Sequence, residues 1–216
     1  MNIYNVIILD ESGSMSSIYE ATLDSMNEVL SGIRKNQEEF PEENNFVTIV
    51  TFEGQGISGI KTRRDRVPIE AVAPFTEADY RPGGCTPLYD AMGKTLNELE
   101  GLVHAGDRVI ATIITDGYEN ASEEYSGKTI VALVDRLREK GWTLAYIGAN
   151  HNSVEVARDL HINNAIDFLP TGEGVAVMKV RLNKARTKSS RLWQKLTDVQ
   201  NHSLEDIFND MEEPDK

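Results

Sequence analysis

Hydrophobic residues follow two kinds of pattern along this chain. Short runs rich in β-branched residues predict buried strands, and longer segments with an apolar residue on every turn predict helices. The predicted strands are residues 3–9, 46–52, 109–115, 143–147 and 165–169. The predicted helices are residues 17–35, 88–103, 128–140 and 154–160. This alternation predicts an α/β fold, a doubly wound and mostly parallel central sheet with helices on both faces, as in Rossmann-like proteins.

Two connecting segments depart from the alternation. Residues 56–69 are irregular and partly charged, and their charges suit a strand at the edge of the sheet, so we expect one antiparallel edge strand there. Residues 74–87 form a loop rich in Pro and Gly in front of the second helix. Asp90, in the first turn of that helix, would complement the positive end of the helix dipole.

The last part of the chain changes in charge. Residues 179–195 contain seven Lys and Arg and no Asp or Glu, whereas residues 196–216 contain seven Asp and Glu and one Lys. The apolar residues Val175, Met178, Leu182 and Ala185 keep a helical spacing across the start of this part. We therefore expect one domain over residues 1–178, followed over residues 179–216 by a basic helical extension, partly packed on the domain, and a frayed acidic tail.

Composition and charge exclude several classes of function. The chain of 216 residues has a formal net charge of −13, which disfavours non-specific nucleic-acid binding and favours small cations and basic partners. The single cysteine, Cys85, can form neither an internal disulfide nor a zinc site built from several thiolates. The apolar run after the N-terminus stops at Asp10, too short for a signal peptide or a membrane span. We expect a cytoplasmic protein that does not bind membranes.

Polar residues cluster where three predicted loops leave the sheet. Asp10, Ser12 and Ser14 follow the first strand, Thr86 precedes the second helix, and Asp116 follows the strand 109–115. Ligands of open α/β sheets collect at the carboxyl ends of the strands, so these side chains are expected to converge. Two carboxylates and three hydroxyls suit a hard divalent cation, Mg²⁺ first, with Mn²⁺ or Ca²⁺ as alternatives. Gly13 would allow the reversal that turns the serines inward, and Gly83-Gly84 would let the backbone approach the ion.

These motifs resemble those of the von Willebrand factor type A (VWA) domain with its metal-ion-dependent adhesion site (MIDAS). Within that family, the chain resembles a small stand-alone member of the bacterial type. The resemblance spans about residues 2–169 and rests on Asp10-x-Ser12-x-Ser14, Gly-Gly-x-Thr86-Pro-Leu-Tyr-Asp and Thr115-Asp116-Gly117 in the family's order. It implies that Asp10, Ser12, Ser14 and Thr86 bind the metal, and that Asp116 does so directly or through water. It also implies a protein partner that supplies a Glu or Asp to the ion, and a last helix that binding can shift.

One position departs from the family pattern. Cys85 stands between Gly84 and Thr86, where many members have Gly-Gly-Thr without an insertion. This keeps Thr86 as a ligand, with one additional residue in the loop before it. We expect Cys85 to be a packed small residue, because a thiolate is a poor ligand for an ion that prefers oxygen.

The polar segments of this chain also allow interpretations other than a metal site. Asp10 to Ser14 alone could be a helix cap, and residues 118–120 are best interpreted as a surface loop. A haloacid-dehalogenase-type phosphatase needs a second Asp where this chain has Ser12. Ser126-Gly-Lys-Thr129 resembles the end of a phosphate-binding loop, but that motif needs Gly at Ser122. The four histidines lack the spacing of helical metal ligands.

Two function classes therefore remain besides a metal-free scaffold with a vestigial site. The first is a metal-dependent protein-binding module that is not an enzyme, with a ring ATPase or another assembly component among the partners that the resemblance implies. The second is a metal-assisted phosphoester or anhydride hydrolase at the same ion, for which only Glu11 and Glu119 could act as general base.

Overall fold

A computed structural model describes residues 1–149, 153–168 and 171–195, together with Leu204 and Ile207. Within these residues the chain forms one six-stranded sheet in the order β3-β2-β1-β4-β5-β6. The strands are β1 (Asn2–Asp10), β2 (Asn44–Phe52), β3 (Ile60–Pro68), β4 (Arg108–Thr115), β5 (Thr143–Ala149) and β6 (Asn164–Phe168). All neighbouring strands are parallel except β2 and β3, which pair antiparallel at the edge. The predicted fold class is confirmed, including the antiparallel edge strand.

Helices cover both faces of this sheet. They are α1 (Tyr19–Glu39), α2 (Leu88–Glu100), α3 (Gly127–Glu139), α4 (Ser153–Asp159) and α5 (Gly172–Lys195). Helix α1 begins later than predicted because a 3₁₀ segment, Gly13–Ile18, precedes it and already buries Met15 and Ile18. The other predicted helices agree with the structure to within about three residues.

The alternation of side chains along each strand divides the core in two. Ile3, Ile7 and Leu9 of β1 pack on the face covered by α1 and α5. Val6 and Ile8 point to the opposite face, with α2 and α3. Both faces of β4 are covered, so every residue from Arg108 to Thr115 is buried. A strand covered on both faces needs apolar residues at successive positions, which explains its continuous hydrophobic run.

The C-terminal region begins as a packed helix. Helix α5 is continuous from Gly172 to Lys195, so residue 178, the predicted domain boundary, lies inside it. Its side chains Met178, Leu182 and Ala185 are buried against the core, as their spacing predicted. Of the predicted acidic tail only Leu204 and Ile207 lie among the described residues, and both are buried.

None of the helices in the described part of the chain is both long and apolar enough to cross a bilayer.

Candidate functional site

Asp10 ends β1 at the carboxyl edge of the sheet and is fully buried. Its Oδ1 accepts a hydrogen bond from the amide of Ser12 at 2.7 Å, and its Oδ2 accepts one from the Thr115 hydroxyl at 2.6 Å. The pKa of Asp10 is raised to about 6, chiefly by burial and to a smaller extent by the nearby charge of Asp116, although these hydrogen bonds lower it. The two hydrogen bonds fix the position of this carboxylate, while burial and the charge of Asp116 disfavour its ionised form.

The two serines continue from Asp10 into the 3₁₀ segment. Ser12 Oγ and Ser14 Oγ are 3.2 Å apart, and Ser14 Oγ donates to Asp116 Oδ1 at 2.5 Å. Ser12 occupies the position before the 3₁₀ segment, but its side chain makes no capping hydrogen bond, and none caps α1. The helix-cap interpretation therefore does not account for these hydroxyls.

The second loop is fastened to the first by its backbone. The amide of Gly13 donates to the carbonyl of Gly84 at 3.2 Å, and the amide of Gly83 donates to the carbonyl of Glu11 at 2.8 Å. Gly84 has a φ of +65°, and a Cβ on it would come within 2.7 Å of the Gly54 amide nitrogen. Only glycine suits this close approach with a left-handed backbone. Thr86, two residues later, is thereby placed beside the first loop and is buried.

The third loop completes the cluster. A Cβ built on Gly117 would lie 3.5 Å from Thr86 Oγ1, 3.7 Å from Ser14 Oγ and 4.0 Å from Asp10 Oδ2. One small volume beside the third loop is thus surrounded by oxygens of the first and second loops, which are far apart in sequence. Asp116 belongs to the same cluster through Ser14, and Ser12 joins it through Ser14 as well. The structure therefore places all five predicted ligand residues together.

Several side chains that support this cluster have only a weak sequence signal. Thr115 holds Asp10 through its hydroxyl, and the Tyr80 hydroxyl donates to the Asp10 carbonyl at 2.9 Å. Asn120 Oδ1 accepts from the amide of Thr86 at 2.8 Å, and the amide of Asn120 donates to the Thr86 carbonyl at 3.1 Å. Thr115 belongs to the Thr115-Asp116-Gly117 motif, although the sequence did not indicate its bond to Asp10. Tyr80 and Asn120 are identified only by three-dimensional contacts.

Glu11, one of the two candidate general bases, is committed to structural contacts. It is fully buried, and Arg63 Nη2 donates to its Oε2 at 2.9 Å and to its Oε1 at 3.1 Å. The amide of Arg81 also donates to Oε1, at 2.5 Å. Both oxygens of Glu11 are therefore occupied by donors from β3 and from residue 81.

Glu119, the other candidate base, caps α2. Its Oε2 accepts from the amide of Tyr89 at 2.9 Å and the hydroxyl of Ser122 at 2.7 Å, while its Oε1 accepts two further amides. Pro87, the residue before α2, offers no side-chain cap of its own. The carboxylate therefore satisfies and neutralises the start of this helix. Residues 118–120 are more than a surface loop, since Glu119 and Asn120 fasten the third loop to the second.

Asp90 has a larger role than the dipole contact expected from the sequence. It is fully buried, and its carboxylate accepts the amides of Glu123, Glu124 and Tyr125 at 2.8, 3.0 and 2.7 Å. The carboxylate thus holds the segment that leads from the third loop to α3. That segment ends at Ser126, whose side chain accepts from the amide of Thr129. Ser126-Gly-Lys-Thr129 is accordingly a helix cap, which opposes the phosphate-loop interpretation.

The expectation that Cys85 is packed is wrong, because its side chain is exposed. Its carbonyl turns inward instead and accepts the amide of Gly54 at 3.1 Å, and the next residue, Thr86, is buried. The inward carbonyl and the buried neighbour leave the Cys85 side chain on the solvent side of the loop.

Comparison with known proteins identifies the fold. No protein-family model and no curated protein sequence matches the chain. Among solved structures, the pilus adhesin SpaC from Lactobacillus rhamnosus GG matches with a TM-score of 0.65 and 13% identity over 87% of this chain and 30% of its own. A von Willebrand factor type A protein from Catenulispora acidiphila matches with a TM-score of 0.56 and 16% identity over 87% of this chain and 42% of its own. The chain has the VWA fold.

A third structure with the VWA fold carries a metal. Proximal thread matrix protein 1 from the mussel byssus, solved with a zinc-occupied MIDAS motif, matches with a TM-score of 0.58 and 12% identity over 86% of this chain and 46% of its own. This chain therefore spans less than half of each of the three structures. At such identities the likeness establishes the VWA fold alone, so the chemistry of the site must be argued from its own residues.

The donor set of the cluster fits a hard cation. Within the described residues, no group of three or more His, Cys, Asp and Glu side chains is placed to hold a metal ion. The cluster instead contains two carboxylates, Asp10 and Asp116, with hydroxyls from Ser12, Ser14 and Thr86 around one small volume. An all-oxygen set of this kind could hold Mg²⁺, Mn²⁺ or Ca²⁺ together with water.

Proposed function

We propose that this protein is a divalent-cation-dependent protein-binding module. The cation would be held by Asp10, Ser12, Ser14, Thr86 and Asp116, with Asp116 acting directly or through water. When bound, the ion supplies an open position for one anionic oxygen from outside the domain. An acidic side chain of a protein partner would fill that position.

The convergence at Gly117 is the observation that carries the proposal. Oxygens of Thr86, Ser14 and Asp10 lie 3.5, 3.7 and 4.0 Å from the position of one absent methyl group. Backbone hydrogen bonds join the first loop to the second, and the second to the third. The donors are therefore held in place before any ligand arrives, which reduces the entropy lost on binding.

Electrostatics supports a cation at this position. Asp10 is buried, and its pKa is raised to about 6 by burial and then by the nearby Asp116. Two neighbouring carboxylates in a poorly solvated place repel each other, and a divalent ion removes both this repulsion and the desolvation cost. The ion leaves net positive charge at the surface, which favours an acidic ligand from a partner.

The surroundings of the cluster support binding over hydrolysis. Activation of water at the ion would need a nearby group able to take the proton. Glu11 is held by Arg63, and both oxygens of Glu119 cap α2 and its adjoining loop. We therefore propose that the domain is not an enzyme and expect no magnesium-dependent turnover of p-nitrophenyl phosphate.

Calorimetric titration with Mg²⁺ and Mn²⁺ tests the metal site. Asp10→Asn and Asp116→Asn keep the size of the side chain and remove one charge each, so both should abolish measurable binding while leaving a cooperative unfolding transition. Asp24→Asn, at an exposed position of α1, is the matched control and should bind like the wild type. Unchanged affinity in both site variants, or no binding by the wild type, would refute the proposal and favour a metal-free scaffold.

Paramagnetic broadening tests the acidic ligand. Protein loaded with Mn²⁺ should broaden the γ-methylene NMR signals of N-acetyl-glutamate amide more strongly than those of N-acetyl-glutamine amide, because only the former offers a carboxylate to the ion. Asp116→Asn should remove the difference. Equal broadening of the two compounds by the wild-type protein would contradict an acidic ligand.

A further inference from the structure

A groove of about 410 Å³ lies on the surface beside the candidate metal cluster. It runs between the start of α2, the third loop and helix α4, and is open to solvent. Its walls include Tyr89, Tyr118, Glu119, Glu155, Val156 and Asp159. Neither the fold nor the cation site accounts for this cavity.

The groove combines aromatic surface with negative charge. Tyr118 is 60% exposed although it is a large aromatic side chain. The side chains of Glu155 and Asp159 are 55% and 70% exposed, and no Lys, Arg or His is among the described residues that line the cavity. Glu119 adds a third carboxylate, already bonded to the start of α2. Tyrosine rings next to carboxylates are a favourable environment for an organic cation.

The groove and the cation cluster are adjacent along two loops. Tyr118 follows Asp116 by two residues, and Tyr89 follows Thr86 by three. Consecutive Cα atoms are about 3.8 Å apart, so the Cα atoms of Asp116 and Tyr118 are separated by no more than about 8 Å. An extended peptide advances about 3.3 Å per residue. A partner segment could therefore reach both places with residues about two to four positions apart.

We propose that the groove binds an arginine side chain of the partner, about two to four residues from the acidic side chain that the cation holds. This deepens the proposed function and rests on it for the location of the acidic residue. Arginine fits better than lysine, since its planar guanidinium can stack on a tyrosine ring while it donates to a carboxylate. The partner motif would thus contain both charges, which also suits the acidic character of the domain.

Arg158 would compete with an arginine ligand for the carboxylates of the groove. It lies on α4 beside the groove, 3.6 Å from Glu155 and 3.8 Å from Asp159, with its side chain 72% exposed. Exposed ion pairs of this kind are weak, and an incoming guanidinium would compete for the same carboxylates. Removing Arg158 should therefore strengthen arginine binding, whereas removing Asp159 should weaken it.

An NMR titration of the ¹⁵N-labelled protein tests the groove without the unknown partner. N-acetyl-arginine amide is the probe, and N-acetyl-citrulline amide, which is neutral and nearly identical in shape, is the control. We expect saturable shifts with arginine at the amides of residues 118–119 and 155–160, and no saturable shifts with citrulline. Shifts spread over the whole surface, or equal shifts with citrulline, would overturn the proposal.

Three variants sharpen the test through effects of opposite sign. Asp159→Asn and Tyr118→Ala should each weaken arginine binding about three- to fivefold, the range of an exposed ion pair or cation–π contact. Arg158→Gln should strengthen it about two- to threefold. Asp24→Asn on α1 controls for the general loss of negative charge and should leave affinity unchanged. The same weakening in Asp24→Asn, or weaker binding in Arg158→Gln, would contradict a specific groove.

The metal dependence separates this proposal from the proposed function. Arginine amide alone should bind equally well in EDTA and in Asp116→Asn, because the groove does not need the ion. A peptide Ac-Gly-Glu-Gly-Gly-Arg-Gly-NH₂ should bind the wild type more tightly in Mg²⁺ than in EDTA, and Asp116→Asn should remove this gain. Arginine binding without the gain would refute the paired motif while the groove stands; loss of both would refute the groove.

Discussion

Arg63 of β3 donates from Nη2 to both oxygens of the buried Glu11 carboxylate, at 2.9 Å to Oε2 and 3.1 Å to Oε1. The contact joins the edge strand to the loop that begins the candidate site, 52 residues away in sequence. Arg63 also donates from Nε to the Thr51 hydroxyl at 2.9 Å, so the guanidinium is anchored on β2 as well. Glu11 thus fastens the first loop to the edge strand.

Breaking this pair should cost stability. Arg63→Met keeps most of the apolar stem but removes the cation bonded to both oxygens of the fully buried Glu11 and leaves only the more distant Lys61 Nζ, 3.9 Å from Oε2. We expect a loss of about 3 kcal/mol in the free energy of unfolding. Arg66→Met, which breaks the exposed pair with Asp65, is the control and should change stability by less than about 1 kcal/mol. Urea denaturation measures both. Adding Glu11→Gln to Arg63→Met should recover part of the loss, and equal losses in the two arginine variants would contradict the assignment.

Asp90 should control the order of the segment before α3. Asp90→Ala removes the acceptor of three backbone amides, and we expect a loss of about 3 kcal/mol together with faster hydrogen exchange at residues 123–125. Hydrogen exchange detected by mass spectrometry locates the effect. Asp24→Ala at an exposed position of α1 should change stability by about 0.5 kcal/mol or less. Unchanged exchange at 123–125 would show that other contacts hold this segment.

The two neighbouring glycines of the second loop should respond differently to alanine. Gly84→Ala places a Cβ 2.6 Å from Glu53 Oε2 and 2.7 Å from the Gly54 amide nitrogen, at a φ of +65°. We expect it to lose about 1–2 kcal/mol from the backbone conformation alone. It should also bind Mg²⁺ more weakly, because Thr86 follows two residues later.

Gly83→Ala is the matched control for this change. No atom lies within 4 Å of a Cβ there, so stability and Mg²⁺ affinity should match the wild type. Denaturation and calorimetry measure the two effects. If both alanine variants behave alike, the close approach of Gly84 to Gly54 is not important for the loop.

Glu43 should make the contact between α1 and α5 sensitive to pH. It is fully buried, its Oε2 accepts from the Ser190 hydroxyl at 2.9 Å, and burial raises the pKa of its carboxyl. A raised folded-state pKa means that this group's contribution to stability is present below the unfolded pKa of about 4.3 and is lost as the pH rises through the folded pKa. Ionisation of Glu43 as the pH rises therefore destabilises the domain.

Removing the charge of Glu43 tests this sign. Glu43→Gln should stabilise the domain by about 1–3 kcal/mol at pH 7.5 and have a smaller effect at pH 4.5. Urea denaturation across this range gives the difference between variant and wild type, which cancels the other titrating groups. The exposed Glu38→Gln controls for net charge. A gain that shrinks as the pH rises would reverse the assignment.

Local sequence was sufficient for most of the secondary structure. Strand β4 was predictable because a strand buried on both faces needs apolar residues throughout, and residues 108–115 are all buried. The start of α1 was not, since Gly13–Ile18 also has apolar residues at helical spacing and adopts the tighter 3₁₀ form. The exposure of Cys85 and the contacts of Glu11 and Glu119 depend on residues 30 or more positions away, which no local pattern reveals.

By itself, the sequence determined the alternation of strands and helices in an α/β fold, because hydrophobic periodicity sets their order, and its loop motifs resemble those of the VWA domain. It also predicted the members of the oxygen cluster, because parallel strands bring their carboxyl ends to one edge of the sheet. Only the tertiary structure decided which carboxylates are occupied by structural hydrogen bonds and which lie in the oxygen cluster. Buried polar groups must find partners, and those partners come from loops that only the folded sheet brings together: Arg63 for Glu11, the start of α2 for Glu119, and three amides for Asp90. The groove beside the cluster has the same origin, since its walls come from α2, the third loop and α4, which meet only after folding.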